Sequence, residues 1–171
     1  STDCRIVTDD GHEAAIGEAG ELRVRGPQVM QGYWQRDDDN ADVFDADGWL
    51  RTGDVAVVDE AGFFSIVDLI KDLIIVSGFN VYPNEIEDVA AMHPGIAEVA
   101  AIGVDDPRTN EAVKLVAVRR DPSLSAAELI THCREQLTAY KVPRHVEFVD
   151  ELPKSNIGKI LRRVVKERHG S

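Results

Sequence analysis

The chain has 171 residues, of which 43% are hydrophobic and 29% charged, the composition of a globular protein rather than a disordered or fibrous one. Nineteen basic against 31 acidic residues give a formal net charge of −12, which argues against a general affinity for nucleic acid. No leader sequence and no apolar run of ~18–20 residues occur, so a cytoplasmic protein is the expectation. The five histidines lack metal-ligand spacing, and Cys4 and Cys133 form no CxxC pair, which predicts no metal site and idle thiols.

Residues up to about Asp68 have the pattern of short strands between glycine turns. The runs are CRIVTD, GELRVRG, DVAVVDE and FFSIVD, as in an all-β region. Glu60-Ala61-Gly62 separates two runs rich in Val, Ile and Phe and predicts a hairpin turn. Because the first run has no earlier strand to pair with, we expect this region to be an incomplete piece of a longer protein.

From Asp72 onward the pattern predicts the order β-α-β-β-α-β-α, a compact α+β unit of about 100 residues. Pro83 suits the first turn of the first helix. Ser125, three residues before Glu128, predicts a capping box for the second helix. Its predicted inner face is Leu129, Ile130, Cys133 and Leu137, and that of the third helix (KILRRVVKER) is Ile160, Leu161, Val164 and Val165.

Three positions before the last helix could carry chemistry. Asp54 follows Thr52-Gly53, and a carboxylate behind a glycine turn can accept two hydrogen bonds from vicinal hydroxyls such as those of a ribose. Taken alone, a turn-capping role for Asp54 is favoured. Lys71, where the β-rich pattern ends, fits either a hinge or a solvated charge. Gly78 would let a narrow ligand pass close to the backbone, but taken alone an ordinary loop after a strand is favoured.

The segment LPKSNIGKILRR (residues 152–163) contains a lysine on a glycine turn, Lys159. It is not a P-loop, because Pro153 occupies the position of the first glycine and Ile160 that of the Ser or Thr. The net charge and the lack of interleaved aromatic residues argue against nucleic-acid binding. A third interpretation remains, in which Lys159 reaches a phosphate or carboxylate outside its own domain.

Three motifs taken together, GWLRTGD, VDLIKDLIIVSGFNVYPNEIE and LPKSNIGKILRR, resemble the adenylate-forming superfamily of acyl-CoA synthetases. Within it the chain is most similar to the bacterial long-chain fatty-acid–CoA ligases. The resemblance implies a β-rich end of the large N-terminal AMP-binding domain at residues 1–68 and a hinge at residues 69–72. It further implies a C-terminal lid domain at residues 73–171, built from a three-stranded sheet with helices and a β-hairpin.

The resemblance also implies an activity and a role for each candidate residue. The family activates a fatty acid with MgATP to an acyl-adenylate and then transfers the acyl group to CoA. Asp54 matches the aspartate that binds the ribose of ATP, and Lys71 matches the hinge. Gly78 matches the loop beside the pantetheine tunnel, and Lys159 matches the lysine that the lid delivers to the α-phosphate and carboxylate. ATP, Mg²⁺ and CoA are therefore expected in the full-length protein, with no tight binding by this chain alone.

Two departures from the family pattern affect these expectations. Leu69 stands where the family usually carries an arginine that helps to hold the ribose. The phosphate-binding loop and acyl pocket, which lie upstream in the family, are absent, so we expect this chain alone to have no ligase activity.

The resemblance also indicates which partners to expect and which other functions remain open. We expect contact with the protein's own N-terminal AMP-binding domain and no nucleic acid, with peripheral association at the inner membrane as an open option for the full-length protein. Alternatives are an enzyme that loads a carrier protein or activates an aryl or short-chain acid, and a non-catalytic interaction module with a basic C-terminal helix.

Overall fold

The computed structural model describes residues 2–170 and contains two compact units, the first ending at Lys71 and the second beginning at Asp72. None of the helices in the described residues is both long enough and apolar enough to cross a membrane. The hinge assigned to residues 69–72 concerns motion, and it stays a prediction.

The first unit is an antiparallel sheet whose four strands pair in chain order. The strands are β1 (Asp3–Val7), β2 (Gly20–Arg25), β3 (Leu50–Val58) and β4 (Phe64–Leu69). In the turn between β3 and β4 the Gly62 N–H donates to the Asp59 carbonyl (3.0 Å), and Gly62 has a φ of +83°. The hairpin prediction is confirmed, and the positive φ explains why glycine occupies this turn.

A seven-residue helix, α1 (Asp37–Val43), lies between β2 and β3, so the interpretation of residues 1–68 as strands and turns alone is wrong here. Asp37, Asp38 and Asp39 occupy its first turn, where negative charge complements the helix dipole. None of its residues is buried. A helix without a buried face has no apolar periodicity, which is why the sequence pattern gave no sign of it.

The second unit is built around a mixed sheet. Its elements are β5 (Ile74–Val76), β6 (Phe79–Val81), α2 (Pro83–Ala91), β7 (Ile96–Asp106), β8 (Asn110–Arg119), α3 (Ala126–Gln136), β9 (His145–Val149) and α4 (Arg162–His169). Strand β8 pairs antiparallel with β7 and parallel with β9, and β5 joins it through one pair, Val76 with Asn110. The predicted order lacks β6, a three-residue strand too short to show alternation.

Alternating side chains bury both faces of this sheet. Val99 and Leu115 point to one face, where they pack with α2 and α3 through residues such as Leu129. Ile102 and Val116 point to the other face, where they pack against Val165 of α4. The unit is therefore a sheet between two helical layers, in agreement with the α+β prediction.

The caps of the helices are largely as predicted, whereas the start of α4 is not. Ser125 accepts a hydrogen bond from the Glu128 N–H, and the Glu128 carboxylate accepts one from the Ser125 N–H, which confirms the capping box. Helix α4 begins at Arg162, so Ile160 and Leu161 precede it. The Leu161 side chain is 38% exposed rather than directed inward, because its backbone N–H donates to the Pro153 carbonyl in a loop.

The turn between β7 and β8 is organised by Asp106. The hydrogen bond from the Arg108 N–H is the largest effect on its carboxyl group, and bonds from Thr109 and Arg144 add to it. Although partial desolvation acts in the opposite direction, these bonds lower the pKa of Asp106 to about 2. The Thr109 carbonyl accepts a hydrogen bond from the Ser77 N–H (2.8 Å), so the turn also supports the β5–β6 hairpin.

We expect this turn to loosen only in strong acid. The folded pKa of Asp106 lies below the usual value of about 3.9, so its contribution to stability is present above pH ~4 and is lost as the pH falls toward 2. In an NMR titration, the Arg108 and Thr109 amide resonances should shift with a midpoint near pH 2. The variant Asp106→Asn should abolish this titration and speed exchange of the Ser77 amide, whereas Asp105→Asn, which alters an exposed neighbour, should leave both unchanged. A midpoint near pH 4 would contradict the assignment.

Candidate functional site

Lys159 lies in a tight loop that we call the Lys159 loop, residues 153–161. Lys154 and Ile160 form a β-bridge across it, and the Ser155 N–H donates to the Lys159 carbonyl (2.8 Å). At its tip Gly158 has a φ of +80°, with open space where a side chain would project. The loop is thus a small, internally bonded hairpin whose tip requires glycine.

The amino group of Lys159 has no partner among the described residues of its unit. The side chain is exposed, and within residues 2–170 its Nζ takes part in no hydrogen bond and no ion pair. Lys154, on the other strand of the loop, instead forms an ion pair with Glu98. The loop therefore neutralises one of its two lysines and presents the other to solvent.

Gly78 lies in a two-residue turn between β5 and β6. Ser77 and Gly78 have φ values of +53° and +83°, and the flanking residues Val76 and Phe79 pair directly. Two successive positive φ values define a type I′ turn, the tight hairpin turn that matches strand twist. No atom lies within 4 Å of the position that a Gly78 side chain would take, so glycine is set there by backbone conformation rather than by crowding within the unit.

An aromatic pair lies beside this turn. The rings of Phe79 and Tyr140 stack with centroids 4.8 Å apart, although Phe79 remains 56% exposed. Lys141 forms an ion pair with Glu85 (2.7 Å) and lies 5.8 Å from the centre of the Tyr140 ring. The surface next to Gly78 therefore consists of the stacked rings of Phe79 and Tyr140, with the ion-paired Lys141 beside them.

Asp54 lies inside β3, rather than before a strand as the sequence pattern predicts. Its N–H donates to Thr52 Oγ1 (3.1 Å), which in turn donates to the Leu22 carbonyl (2.7 Å). The turn-like signal comes from Gly53, whose φ of +74° distorts the strand without ending it. Its carboxylate, unlike that of a turn cap, has no bonding partner among the residues that the structure describes.

Asp54 pairs directly with Leu69 across β3 and β4. Side chains of directly opposed residues in an antiparallel pair lie on the same face of the sheet. A residue at position 69 is therefore a neighbour of the Asp54 carboxylate, and the leucine offers it no hydrogen-bond donor.

Lys71 lies in a 3₁₀ turn, Ile70–Asp72, that follows β4. It is exposed and has neither a hydrogen bond nor an ion pair in the described part of the chain. It is also the last residue of the first unit.

The four candidate residues divide between the two units. Asp54 and Lys71 belong to the first unit, and Gly78 and Lys159 lie on different loops of the second. No hydrogen bond joins Gly78 to Lys159. The second unit thus presents two separate loops, one with an unpaired lysine and one with an open backbone.

Arg162 is a feature that the sequence pattern did not single out. Its guanidinium group donates to both carboxylate oxygens of Glu87 at 2.7 Å, to Asn84, and to Asp72 at 3.3 Å. These partners lie 75 to 90 positions away in the chain. The sole signal in the sequence is the spacing of Asn84 and Glu87, which places them on one face of α2.

The remaining reactive groups do not form a site. Burial raises the pKa of the Cys133 thiol to about 11, so this thiol is protonated and unreactive at neutral pH. Cys4 is exposed and free. Within residues 2–170, no three His, Cys, Asp or Glu side chains cluster in a way that could hold a metal ion.

Comparison with known proteins identifies related sequences. Residues 85–159 match the family described as the AMP-binding enzyme C-terminal domain. The chain is 60% identical over 167 residues to a long-chain-fatty-acid–CoA ligase of Escherichia coli O157:H7, an alignment that covers 98% of this chain and 30% of the relative. It is 46% identical over 170 residues to a feruloyl-CoA synthase of an Amycolatopsis species, covering 99% of this chain and 34% of that protein.

The fold has a similar relative among solved structures. The crystal structure of ATP-bound MatB from Rhodopseudomonas palustris superimposes with a TM-score of 0.91 at 35% identity, covering 99% of this chain and 34% of that one. The chain thus spans about a third of the length of the relatives it matches.

Proposed function

Because this chain contains an AMP-binding enzyme C-terminal domain at residues 85–159, we propose that the full-length protein is an ATP-dependent acid–CoA ligase that acts on long-chain fatty acids. The observation that carries the proposal is the 60% identity to a long-chain-fatty-acid–CoA ligase across 98% of this chain. The partnerless amino group of Lys159 and the open turn at Gly78 are the two structural features that this activity would use.

The proposed reaction has two steps. In the first, a carboxylate oxygen of the fatty acid attacks the α-phosphorus of ATP, and the bond from that phosphorus to the pyrophosphate oxygen breaks. In the second, the thiol sulfur of CoA, having lost its proton, attacks the acyl carbonyl carbon and AMP leaves. ATP-bound MatB supports ATP as the nucleotide. Mg²⁺ would neutralise phosphate charge in the first step, and its ligands would come from outside the described residues of this chain.

Lys159 would assist the first step. The attack of a carboxylate on a phosphate brings two anions together, so a cation between them lowers the barrier. A unit charge ~4 Å away contributes about 4 kcal/mol at an effective dielectric near 20, which corresponds to roughly a thousandfold in rate. An exposed lysine without a local carboxylate has no ion pair to break before it binds these anions.

Gly78 would serve the second step. The type I′ turn presents backbone without a side chain, so the narrow pantetheine arm of CoA can pass close to it. The two loops lie on one unit, and a lid that turns about Lys71 would bring each to the reacting atoms in turn.

Asp54 would accept hydrogen bonds from the ribose hydroxyls of ATP. Its carboxylate has no partner within residues 2–170, and its backbone N–H donates to the Thr52 hydroxyl. Leu69, its neighbour across the sheet, would leave the ribose without the cationic donor that the resemblance implies.

A second candidate substrate is an aryl acid. The 46% identity to a feruloyl-CoA synthase supports it, since the acid-binding pocket lies outside this chain. Thioester formation by the full-length protein from palmitate and from ferulate, each with CoA or a phosphopantetheine carrier protein, tests both. We expect palmitate with CoA to give the highest kcat/KM; a preference for ferulate, or for the carrier protein, would replace the proposal.

The proposed partner of the second unit is the protein's own N-terminal AMP-binding domain, of which the first unit would be the β-rich end. Phe64 and Ile66 lie on the same face of β4 and are 42% and 54% exposed. They form an apolar surface suited to contact with the rest of the AMP-binding domain. A cytoplasmic location, with or without peripheral membrane association, stays a proposal.

Replacing Lys159 by alanine should separate the two half-reactions. In the full-length protein we expect Lys159→Ala to lower fatty-acid-dependent ATP–pyrophosphate exchange by roughly a thousandfold, because the cation at the reacting anions is lost. Thioester formation from supplied acyl-adenylate and CoA should remain within about threefold of wild type. Arg163→Ala, which removes an exposed charge of α4, is the control. Equal rates for Lys159→Ala and Arg163→Ala in both assays would exclude the role.

Gly78→Leu should have the opposite effect. A leucine at φ +83° costs about 1–2 kcal/mol in backbone strain and projects into the space proposed for the pantetheine arm. Thioester formation should therefore fall at least tenfold, whereas ATP–pyrophosphate exchange should be retained. Ser77→Ala, in the same turn, should affect neither step. A parallel loss of both activities in Gly78→Leu would instead indicate a folding defect.

Leu69→Arg should strengthen nucleotide binding. The new guanidinium group would lie beside Asp54, and a hydrogen bond to a charged group contributes about 1.5–3 kcal/mol. We expect the KM for ATP to fall roughly tenfold or more, with the KM for fatty acid unchanged. Leu69→Met, which has similar volume and no donor, is the matched control. An unchanged KM for ATP in Leu69→Arg would show that position 69 does not face the nucleotide.

A further inference from the structure

The Lys159 loop is well bonded internally, but its own bonds do not fix its place in the unit. Its attachments include the buried side chain of Leu152 at its start and the ion pair between Lys154 and Glu98. At its end Ile160 packs against the same buried cluster as Leu152, and helix α4 begins with Arg162, directly after the loop. Arg162 is the polar group at the junction of the loop and α4, so it helps to set the direction in which the loop leaves the unit.

The partners of Arg162 include Glu87, Asn84 and Asp72. Its side chain is 16% exposed, and those of Glu87 and Asp72 are each 18% exposed, so these charges are largely shielded from water. The guanidinium group makes a two-point contact with Glu87 and also donates to Asn84 and Asp72. A two-point contact fixes orientation as well as distance, which a lysine ammonium cannot do.

Each partner connects Arg162 to a different part of the unit. Asn84 and Glu87 lie in the first turns of α2, and Glu87 Oε1 also accepts the N–H of Ala101 in β7 (2.9 Å). Asp72 is the first residue of the unit and follows Lys71 in the chain. The Arg162 side chain thus connects α4 to α2, to the first residue of the unit and, through Glu87, to β7.

We propose that Arg162 is the positioning residue for Lys159: its guanidinium group fixes the Lys159 loop to α2 and Asp72, so that the loop and the start of the unit move as one body. The proposal rests on the proposed role of Lys159 in adenylation. Arg162 touches no substrate and acts through the loop that precedes it. Its loss leaves Glu87 and Asp72, two shielded carboxylates that shared one cation, to repel each other and release the start of α4.

The first test does not depend on activity. Amide hydrogen exchange is measured on the 171-residue chain for wild type, Arg162→Gln and Arg163→Gln. Arg163 is the matched control, because it is the next residue of α4, has a side chain that is 86% exposed and, within residues 2–170, pairs only with Glu167. We expect at least tenfold faster exchange at the Leu161 and Val165 amides, whose bonds lie at the junction of the loop and α4, in Arg162→Gln alone, with β8 unchanged. Equal exchange in both variants would overturn the proposal.

The second test uses the full-length protein and the two half-reactions. A lysine loop displaced by about 1 Å costs on the order of a hundredfold in rate. We expect Arg162→Gln to lower kcat of adenylation 10- to 100-fold, with KM for ATP and fatty acid within about twofold and thioester formation from supplied acyl-adenylate retained. Arg162→Lys should recover less than half of the loss on a logarithmic scale, since a lysine cannot make the two-point contact. A parallel fall of both half-reactions would assign Arg162 a general structural role and overturn the proposal.

Two further comparisons keep the result interpretable. If Arg162→Gln does not fold, the variants Asp72→Asn and Asn84→Ala each remove one partner of Arg162. Faster exchange of the Leu161 amide in either variant supports the proposal. Exchange at the wild-type rate in both variants overturns it. If wild-type full-length protein shows no fatty-acid-dependent exchange of pyrophosphate, the proposed function fails, while the exchange measurement on the chain still decides whether Arg162 holds the loop.

Discussion

The pairing of β7 with β8 is the constraint on which the second unit depends. Residues alternate between the two faces of this pair, and both faces are buried, so a shift of one residue in register would exchange Val99 and Leu115 with Ile102 and Val116. The same register places α2 and α3 on one side and α4 on the other. Because each candidate loop is attached to these elements, the register of one strand pair determines where Lys159 and Gly78 are presented.

The Lys159 loop and the turn at Gly78 differ in what they expose, and each depends on a glycine with a positive φ. The Lys159 loop presents a charge to solvent, and Gly158 with its positive φ forms the tip of the loop. The turn at Gly78 removes a side chain from an exposed place, and the support from the Thr109 carbonyl keeps it in position. One unit can thus present a cation or an open backbone, a combination that suits an enzyme that must first activate a carboxylate and then admit a thiol. The proposed function needs the two loops at different steps, and for that reason we propose a hinge near Lys71.

Local signals were enough to predict much of the fold. The capping box at Ser125, the proline at the start of α2 and the hairpin turn at Gly62 each depend on a few consecutive residues, and the structure confirms all three. The prediction failed where the signal was short or absent. Strand β6 has three residues, α1 has no buried face, and α4 was extended back over Leu161 because Ile160 and Leu161 continue its apolar spacing.

The geometry around the candidate residues could not be predicted from the sequence. Lys159 and Gly78 are candidates because of their motifs and glycine turns, and their roles stay predictions. Arg162, by contrast, contacts residues up to 90 positions away in the chain. A single sequence does not indicate which residues at such separations are in contact. The direct pairing of Asp54 with Leu69 also depends on the register between β3 and β4. A bulge between Val55 and Ala56 shifts this register, and the alternation of apolar and polar residues does not predict the bulge.

The central claim is that Lys159 reaches the reacting anions in adenylation and leaves them afterwards. Site-resolved acetylation of lysine amines in the full-length protein, read by mass spectrometry, tests it directly. We expect ATP with a fatty-acid analogue to protect Lys159 strongly and a bound non-hydrolysable acyl-adenylate analogue with CoA to restore its reactivity, whereas exposed Lys166 should react equally throughout. An acetylation rate at Lys159 that is the same in the free protein and in both complexes would show that Lys159 does not move to and from the reacting anions.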